Sequence, residues 1–251
     1  MFLLSRRKMI AGASASSAAC LAGCVNTNPN PAANAAIPPQ PSASRADAAD
    51  TVQANYSAIY AELNDGGFTV PAFNAGQVNS AFLRANIAYA TKESPGTIVV
   101  DPGNHLLYHV EDGGRATRYG VGVGREGFGW SGEARIKSKQ EWPDWYPPKE
   151  MLDRRPDLMK EMVELQSGIG MHGSPANPLG ARAMYLWQGN QDTLYRIHGT
   201  NEPWTIGQSF SSGCIRMINQ DVMDLYQKTA LGARVVVLSY SGAQAASPTH
   251  A

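Results

Sequence analysis

The chain has 251 residues, room for one substantial domain with extensions. Its 21 Lys and Arg balance 21 Asp and Glu, and no basic cluster of the kind that marks a nucleic-acid partner is present. The balance is uneven: Arg6, Arg7 and Lys8 stand without an acid in residues 1–23, so the remainder holds three more acids than bases.

Residues 1–23 read as an export signal. A basic start around Arg6-Arg7-Lys8 is followed by a small, weakly apolar run, too short for a membrane-spanning helix. Paired arginines fit the twin-arginine route as well as ordinary secretion. Leu21-Ala22-Gly23-Cys24 resembles the bacterial lipobox. That resemblance implies a lipoprotein precursor, with lipid on Cys24 as its membrane anchor and the domain on the periplasmic side. Residues 24–50, rich in Ala, Asn, Pro and Ser, lack the apolar surface to offset their ordering entropy and read as a flexible linker. In residues 51–95 the spacing of Tyr56, Ile59, Tyr60 and Leu63 before Gly66-Gly67, and of Phe82, Leu83, Ile87 and Tyr89, predicts a helical approach segment.

From Gly96 the pattern becomes β-rich, and a domain over 96–239 is expected. Apolar runs 97–100, 105–110 and 117–123 alternate with Pro-Gly-Asn and Asp-Gly-Gly turns. His105 and His109 would share a face of a regular strand, but no cysteine or carboxylate cluster completes a metal site around them. The glycines at 120, 122, 124, 127 and 129 read as strands with tight turns, because no helix pattern follows them. Trp142, Trp145 and Tyr146 stand in a proline-rich loop, either as packing or, at Trp145, as the wall of a substrate groove. Pro156 is placed to open a helix through Leu165. His172 lies in a glycine-rich loop over 168–182, and runs 184–187 and 193–197 predict strands, the second ending at His198. Asn219 is placed to cap a helix through Lys228, strand 234–238 closes the domain, and 240–251 is a loose tail.

The chemistry concentrates between these last elements. Only Cys214 of the three cysteines lies in the expected domain, so no intrachain disulfide is available there. His198 precedes it by 16 residues across a run broken by Gly199, Pro203, Gly207 and Gly213, which mark a loop able to return the histidine to the cysteine. Nucleophile beside base is the arrangement of covalent catalysis, with His172 as a rival base. Gly213 permits unusual dihedrals, Ser211 and Ser212 offer hydrogen bonds, and Arg216 suits a carboxylate. A helix beginning just after Cys214 is expected to lower its thiol pKa.

The run His198-Gly199-Thr200, Gly207, Ser211-Ser212-Gly213-Cys214-Ile215-Arg216 resembles the signature of the L,D-transpeptidase (YkuD-type) family. Asn177-Pro178-Leu179-Gly180-Ala181-Arg182 resembles a second passage of many members. One position departs: where many members carry a histidine before the motif glycine, this chain has Ser212. The resemblance implies a mainly β, sandwich-type domain with short helices and no cofactor or metal. It implies Cys214 as nucleophile, His198 as base and Ser212 or the Gly199 carbonyl as its orienting partner. Backbone around Gly213 would bind the oxyanion, Arg216 would hold the loop or a carboxylate, and Gly199, Thr200, Ser211, Trp145 and His172 would line the groove. Peptidoglycan stem peptides would be the partner, with 3-3 cross-links as product. A carboxypeptidase, a lipoprotein-attaching enzyme, a non-catalytic wall-binding module and a metal amidase built on His105, His109 and His172 are the alternatives.

Overall fold

The computed structural model describes residues 55–124, 131–211 and 213–239. The signal, Cys24, the linker, the tail and Ser212 lie outside the described residues.

The segment expected to be helical is mostly not. The one α-helix among its described residues, α1 (Tyr56–Ile59), is four residues long. Strands β1 (Leu63–Asp65) and β2 (Phe68–Val70) then form a hairpin around Gly66-Gly67, both at positive φ of 58° and 85°. Two consecutive residues with positive φ are what a two-residue hairpin turn of right-handed strands requires, so the glycine pair joins strands instead of ending a helix. Short 3-10 turns follow, each closed by an asparagine side chain, Asn74 or Asn79. The second expected helix is instead β3 (Ala85–Ala88), where Ala85 and Ile87 are buried and Asn86 and Ala88 are exposed, a period of two.

The hairpins after Gly96 form as expected: β4 (Ile98–Asp101), β5 (Leu106–Glu111) and β6 (Arg115–Gly120). His105 and His109 do not share a strand face, because His105 has a φ of 55° and sits in the turn. Its Nε2 lies 3.0 Å from the Ser209 hydroxyl, whereas His109 is 7% exposed. The two-residue β7 (Val123–Gly124) precedes the long β8 (Gly132–Glu141) and the helix α2 (Lys149–Arg154). Pro156 opens only a 3-10 turn, Pro156–Glu161. The chain then makes the hairpin of β9 (Val163–Leu165) and β10 (Gly168–Gly170) where the helix was expected to continue. Strands β11 (Arg182–Gln188) and β12 (Gln191–His198), the short β13 (Ser209–Ser211) and β14 (Ile215–Arg216), the helix α3 (Asn219–Lys228) and β15 (Arg234–Val237) complete the fold.

Nine strands form one sheet in the order β14-β12-β11-β8-β15-β4-β5-β6-β3. The chain leaving β6 crosses to the far edge, where Gly122 and Arg216 exchange both backbone hydrogen bonds at 3.0 and 2.9 Å. The sheet thereby folds round a core that includes Ile98, Leu107, Ile136, Met184, Leu186, Ile197 and Ile215, with Val222 and Leu225 of α3 packed into it. Each such side chain contributes about 1.5–3 kcal/mol by leaving water. A second cluster, including Ile87, Val99, Tyr108 and Val110, fills the other face of the β3–β6 half.

Residues 55–88 are tied into the domain. Tyr60, Phe73 and Leu83 pack with Ile206 and Ile218, which flank the Cys214 segment. The Tyr60 hydroxyl donates to the fully buried Asp221 of α3 at 3.2 Å, and Arg84 pairs with Asp221 and Asp224. Burial raises the Asp221 pKa to about 7. Beneath Gly66, Asp65 accepts two bonds from the buried Arg182, at 2.7 and 2.8 Å, and a third from the Trp142 indole.

Candidate active site

The site is set by one strand pairing. β12 and β14 run parallel, with Ile197 opposite Ile215 and His198 opposite Arg216. Both isoleucines are fully buried in the core. Alternation therefore turns Arg196, His198 and Arg216 to the opposite face of the sheet. Extending the register by one residue sets Cys214 opposite Arg196 on that face. With strands about 4.8 Å apart and a rise of about 3.3 Å per residue, His198 and Cys214 are diagonal neighbours, roughly 8 Å apart along the backbone.

Gly213 is required for this approach. Its φ is 129°, and a Cβ here would stand 2.7 Å from the Tyr195 ring. A side chain at 213 would thus push the Cys214 segment off the strand that carries His198.

His198 is 4% exposed. Its Nδ1 lies 2.5 Å from the Gly199 carbonyl. A carbonyl only accepts, so Nδ1 carries the proton and Nε2 is the basic nitrogen. Burial, then the positive charges of Arg216 and Arg196, lower the imidazole pKa to about 4. Near neutral pH the ring is uncharged and able to take a proton.

The thiol of Cys214 differs from expectation. Burial raises its pKa, outweighing the Arg196 amide and the two guanidinium groups that oppose the rise. α3 begins five residues downstream, with β14 in between, rather than immediately after Cys214. The thiol donates a long hydrogen bond of 3.9 Å to the Leu194 carbonyl. Leu194 itself has a φ of 63°, a conformation costing about 1–3 kcal/mol for a residue with a side chain. Asp192 supports it, accepting from the Leu194 amide at 2.9 Å and from Arg196 twice, at 2.7 and 2.8 Å.

The remaining expected residues are distributed as follows. Arg216 forms an ion pair with Glu202 at 3.1 Å, so its guanidinium is engaged in holding the loop. Thr200 is buried, and its hydroxyl accepts from the Glu202 amide. Ser211 pairs in β13 with Gly124 of β7. Trp145 and His172 come together on a separate pair of loops: Trp145 bridges Met171 by two backbone bonds of 2.9 Å, and His172 is exposed with its Nδ1 3.4 Å from Asp144. Among the described residues, no hydrogen bond or ion pair joins either of them to His198 or Cys214. No group of three or more potential metal ligands occurs among the described residues.

Asn219 is the residue sequence reading missed. It does not cap α3, whose N-cap is Ile218 without a side-chain bond. Its Oδ1 instead accepts from the amides of Ala181 (3.0 Å) and Thr200 (3.3 Å), and its Nδ2 donates to the Thr200 carbonyl (3.0 Å). It binds the 177–182 passage to the His-Gly-Thr turn, and Gly199 leaves it room, since a Cβ there would lie 2.1 Å from Oδ1. Asn219→Ala strands three backbone groups, at about 1 kcal/mol or more each. We expect a loss of about 3 kcal/mol in chemical denaturation, together with slower reaction at Cys214. Asn219→Asp, which keeps the acceptor, should retain part of both. Arg196 had a legible signal, standing two residues from His198 on a strand and so on its face; Asn219 had none.

The L,D-transpeptidase catalytic domain family (YkuD) matches residues 95–237. The chain is 30% identical over 147 residues to "Probable L,D-transpeptidase ErfK/SrfK" of Escherichia coli, covering 57% of this chain and 44% of that protein. It spans under half the length of this relative. Among solved structures, one titled as a probable carnitine operon oxidoreductase from Brucella melitensis is 50% identical, covering 66% of this chain and 99% of that one, with a TM-score of 0.42. An L,D-transpeptidase from Mycobacterium smegmatis is 15% identical, covering 57% and 58%, with a TM-score of 0.41. The family match spans more than half of the chain and takes in β12, β14 and both residues of the Cys214–His198 pair: this chain belongs to the YkuD L,D-transpeptidase catalytic domain family.

Proposed function

We propose that the protein is a cysteine-dependent L,D-transpeptidase acting on peptidoglycan stem peptides, anchored by lipid on Cys24 and working on the periplasmic side. The observation that carries it is the β12–β14 register, which pairs Ile197 with Ile215 and His198 with Arg216 and so brings the residue before Ile215, Cys214, alongside the strand of His198, with Nε2 of His198 as the basic nitrogen. Family membership supports the substrate class.

The resting pair is a neutral thiol and a neutral imidazole. His198 Nε2 takes the thiol proton as the sulfur attacks the carbonyl of the third stem residue. Backbone N–H groups of Gly213 and Cys214 stabilise the oxyanion. His198 returns the proton to the departing terminal D-alanine, leaving a thioester on Cys214. The amine of a second stem attacks the thioester, releases the thiol and forms a 3-3 cross-link. Trp145 and His172 form the outer wall of the groove.

Intact mass of the domain mixed with a carbapenem, and separately with a disaccharide-tetrapeptide, tests the reading, with Cys214→Ala run alongside. Expected are a carbapenem adduct on wild type alone, and loss of D-alanine with a cross-linked dimer. D-alanine loss without a dimer would identify a carboxypeptidase. No adduct on a folded, reduced protein would overturn the catalytic reading in favour of a wall-binding module.

A further inference from the structure

The face that carries Cys214 and His198 continues beyond them. Cys214, Arg196 and Tyr185 form one cross-strand row, with the Arg196 guanidinium 4.4 Å over the Tyr185 ring. Further along β11, Trp187 stands opposite Arg135 of β8, and Arg135 opposite Arg234 of β15. Met184, Leu186, Ala134, Ile136 and Val235 are buried in the core, so Tyr185, Trp187, Arg135 and Arg234 project to the other side. There Trp187, Arg135 and Arg234 border a cleft of about 590 Å³, with Lys137 and the exposed Leu231 on its rim.

The charges in this cleft are unequally matched. Arg234 is neutralised by Glu133 and Glu93. Arg135 donates to the Gly232 carbonyl at 2.9 Å, and Lys137 sits 5.9 Å from the centre of the Trp187 ring. Among the described residues neither has a carboxylate partner. The cleft thus offers an amphipathic ring beside two cations that lack a carboxylate partner among the described residues.

Its distance from the nucleophile matches a substrate dimension. Two residues along the strand and two strand spacings put Trp187 about 12 Å from Cys214. Three extended residues span about 10–11 Å. Attack at the third stem residue therefore leaves the sugar that bears the stem at about the position of Trp187.

We propose that this cleft is a second peptidoglycan subsite, which holds the amino-sugar unit bearing the donor stem, with Trp187 beneath the sugar ring and Arg135 and Lys137 facing stem carboxylates. The subsite rests on the transpeptidase reading for its ligand. Two readouts on Trp187→Ala and Arg135→Glu separate the two ideas: co-sedimentation with purified sacculi, and the kcat/KM ratio of a disaccharide-tetrapeptide to the free tetrapeptide. We expect each variant to lose about tenfold in sacculus binding and in that ratio, as for truncation of a central contact. Arg135 is exposed, so its variant remains informative if Trp187→Ala does not fold. Unchanged sacculus binding in a folded variant, or equal loss on the sugar-free peptide, would overturn the subsite. If neither peptide is turned over by wild type, sacculus binding still decides the cleft, and the catalytic reading is what fails.

Discussion

Replacing His198 with glutamine is expected to slow acylation of Cys214 by about 10²–10⁴-fold, the usual contribution of a positioned general base. The pH dependence should change with it. In wild type the imidazole pKa is held at about 4, so the base is available throughout the neutral range and acylation should be nearly flat above about pH 5. Below that the ring protonates and the rate should fall. The variant has no base, and its thiol must ionise alone. Burial raises the pKa of that thiol, so the residual rate should climb steadily from pH 7 towards pH 10. The measurement is the rate of carbapenem adduct formation by intact mass across pH 4–10. A variant with wild-type rate and a flat profile would remove His198 from the mechanism and return attention to His172.

Arg182→Met should produce a large loss of stability. The guanidinium is 6% exposed and is held by both oxygens of Asp65, by the Ala181 carbonyl at 2.8 Å and over the Tyr226 ring. Removing it leaves the Asp65 carboxylate beside Trp142 without its counter-charge. Breaking a buried pair from one side costs about 3–5 kcal/mol. Asp65 retains some access to water, so we expect about 3 kcal/mol, a fall in Tm of about 6–12 °C for a domain of this size. The bonds from Arg182 hold the Asp65 carboxyl below the usual carboxylate range. A group with a lowered folded pKa contributes stability above its unfolded pKa and loses it as pH falls. The gap between wild type and variant should therefore narrow below about pH 4. A gap unchanged from pH 7 to pH 3.5 would mean the loss comes from packing alone. Because the Arg182 carbonyl also accepts from the Gly199 amide at 3.0 Å, the variant should react more slowly at Cys214 as well.

The elements that sequence reading located correctly are those whose information is local. The strands from Ile98 to Gly120 carry their own turn residues, and α3 carries an apolar face with Asp221 and Lys228 at its ends. The His-Gly-Thr and Ser-Ser-Gly-Cys-Ile-Arg runs name the candidate pair by residue type and spacing. The misreadings arose where one residue pattern serves two structures. Gly66-Gly67 ends a helix or turns a hairpin; here it turns a hairpin, whose Asp65 is held by Arg182, 117 residues away. The apolar residues from Phe82 to Tyr89 satisfy either period, and pairing with β6 selects the strand.

Sequence by itself therefore determined the mainly β class, which follows from short-range periodicity, and it singled out Cys214 and His198 as candidates by the chemistry intrinsic to their side chains. Tertiary structure alone decided the protonation of the pair, the ion pair that engages Arg216, the lacing role of Asn219 and the continuity of the face from Cys214 to Trp187. Each of these depends on burial or on partners distant in the chain: desolvation governs the two pKa values, and strand register sets which distant side chains share a face.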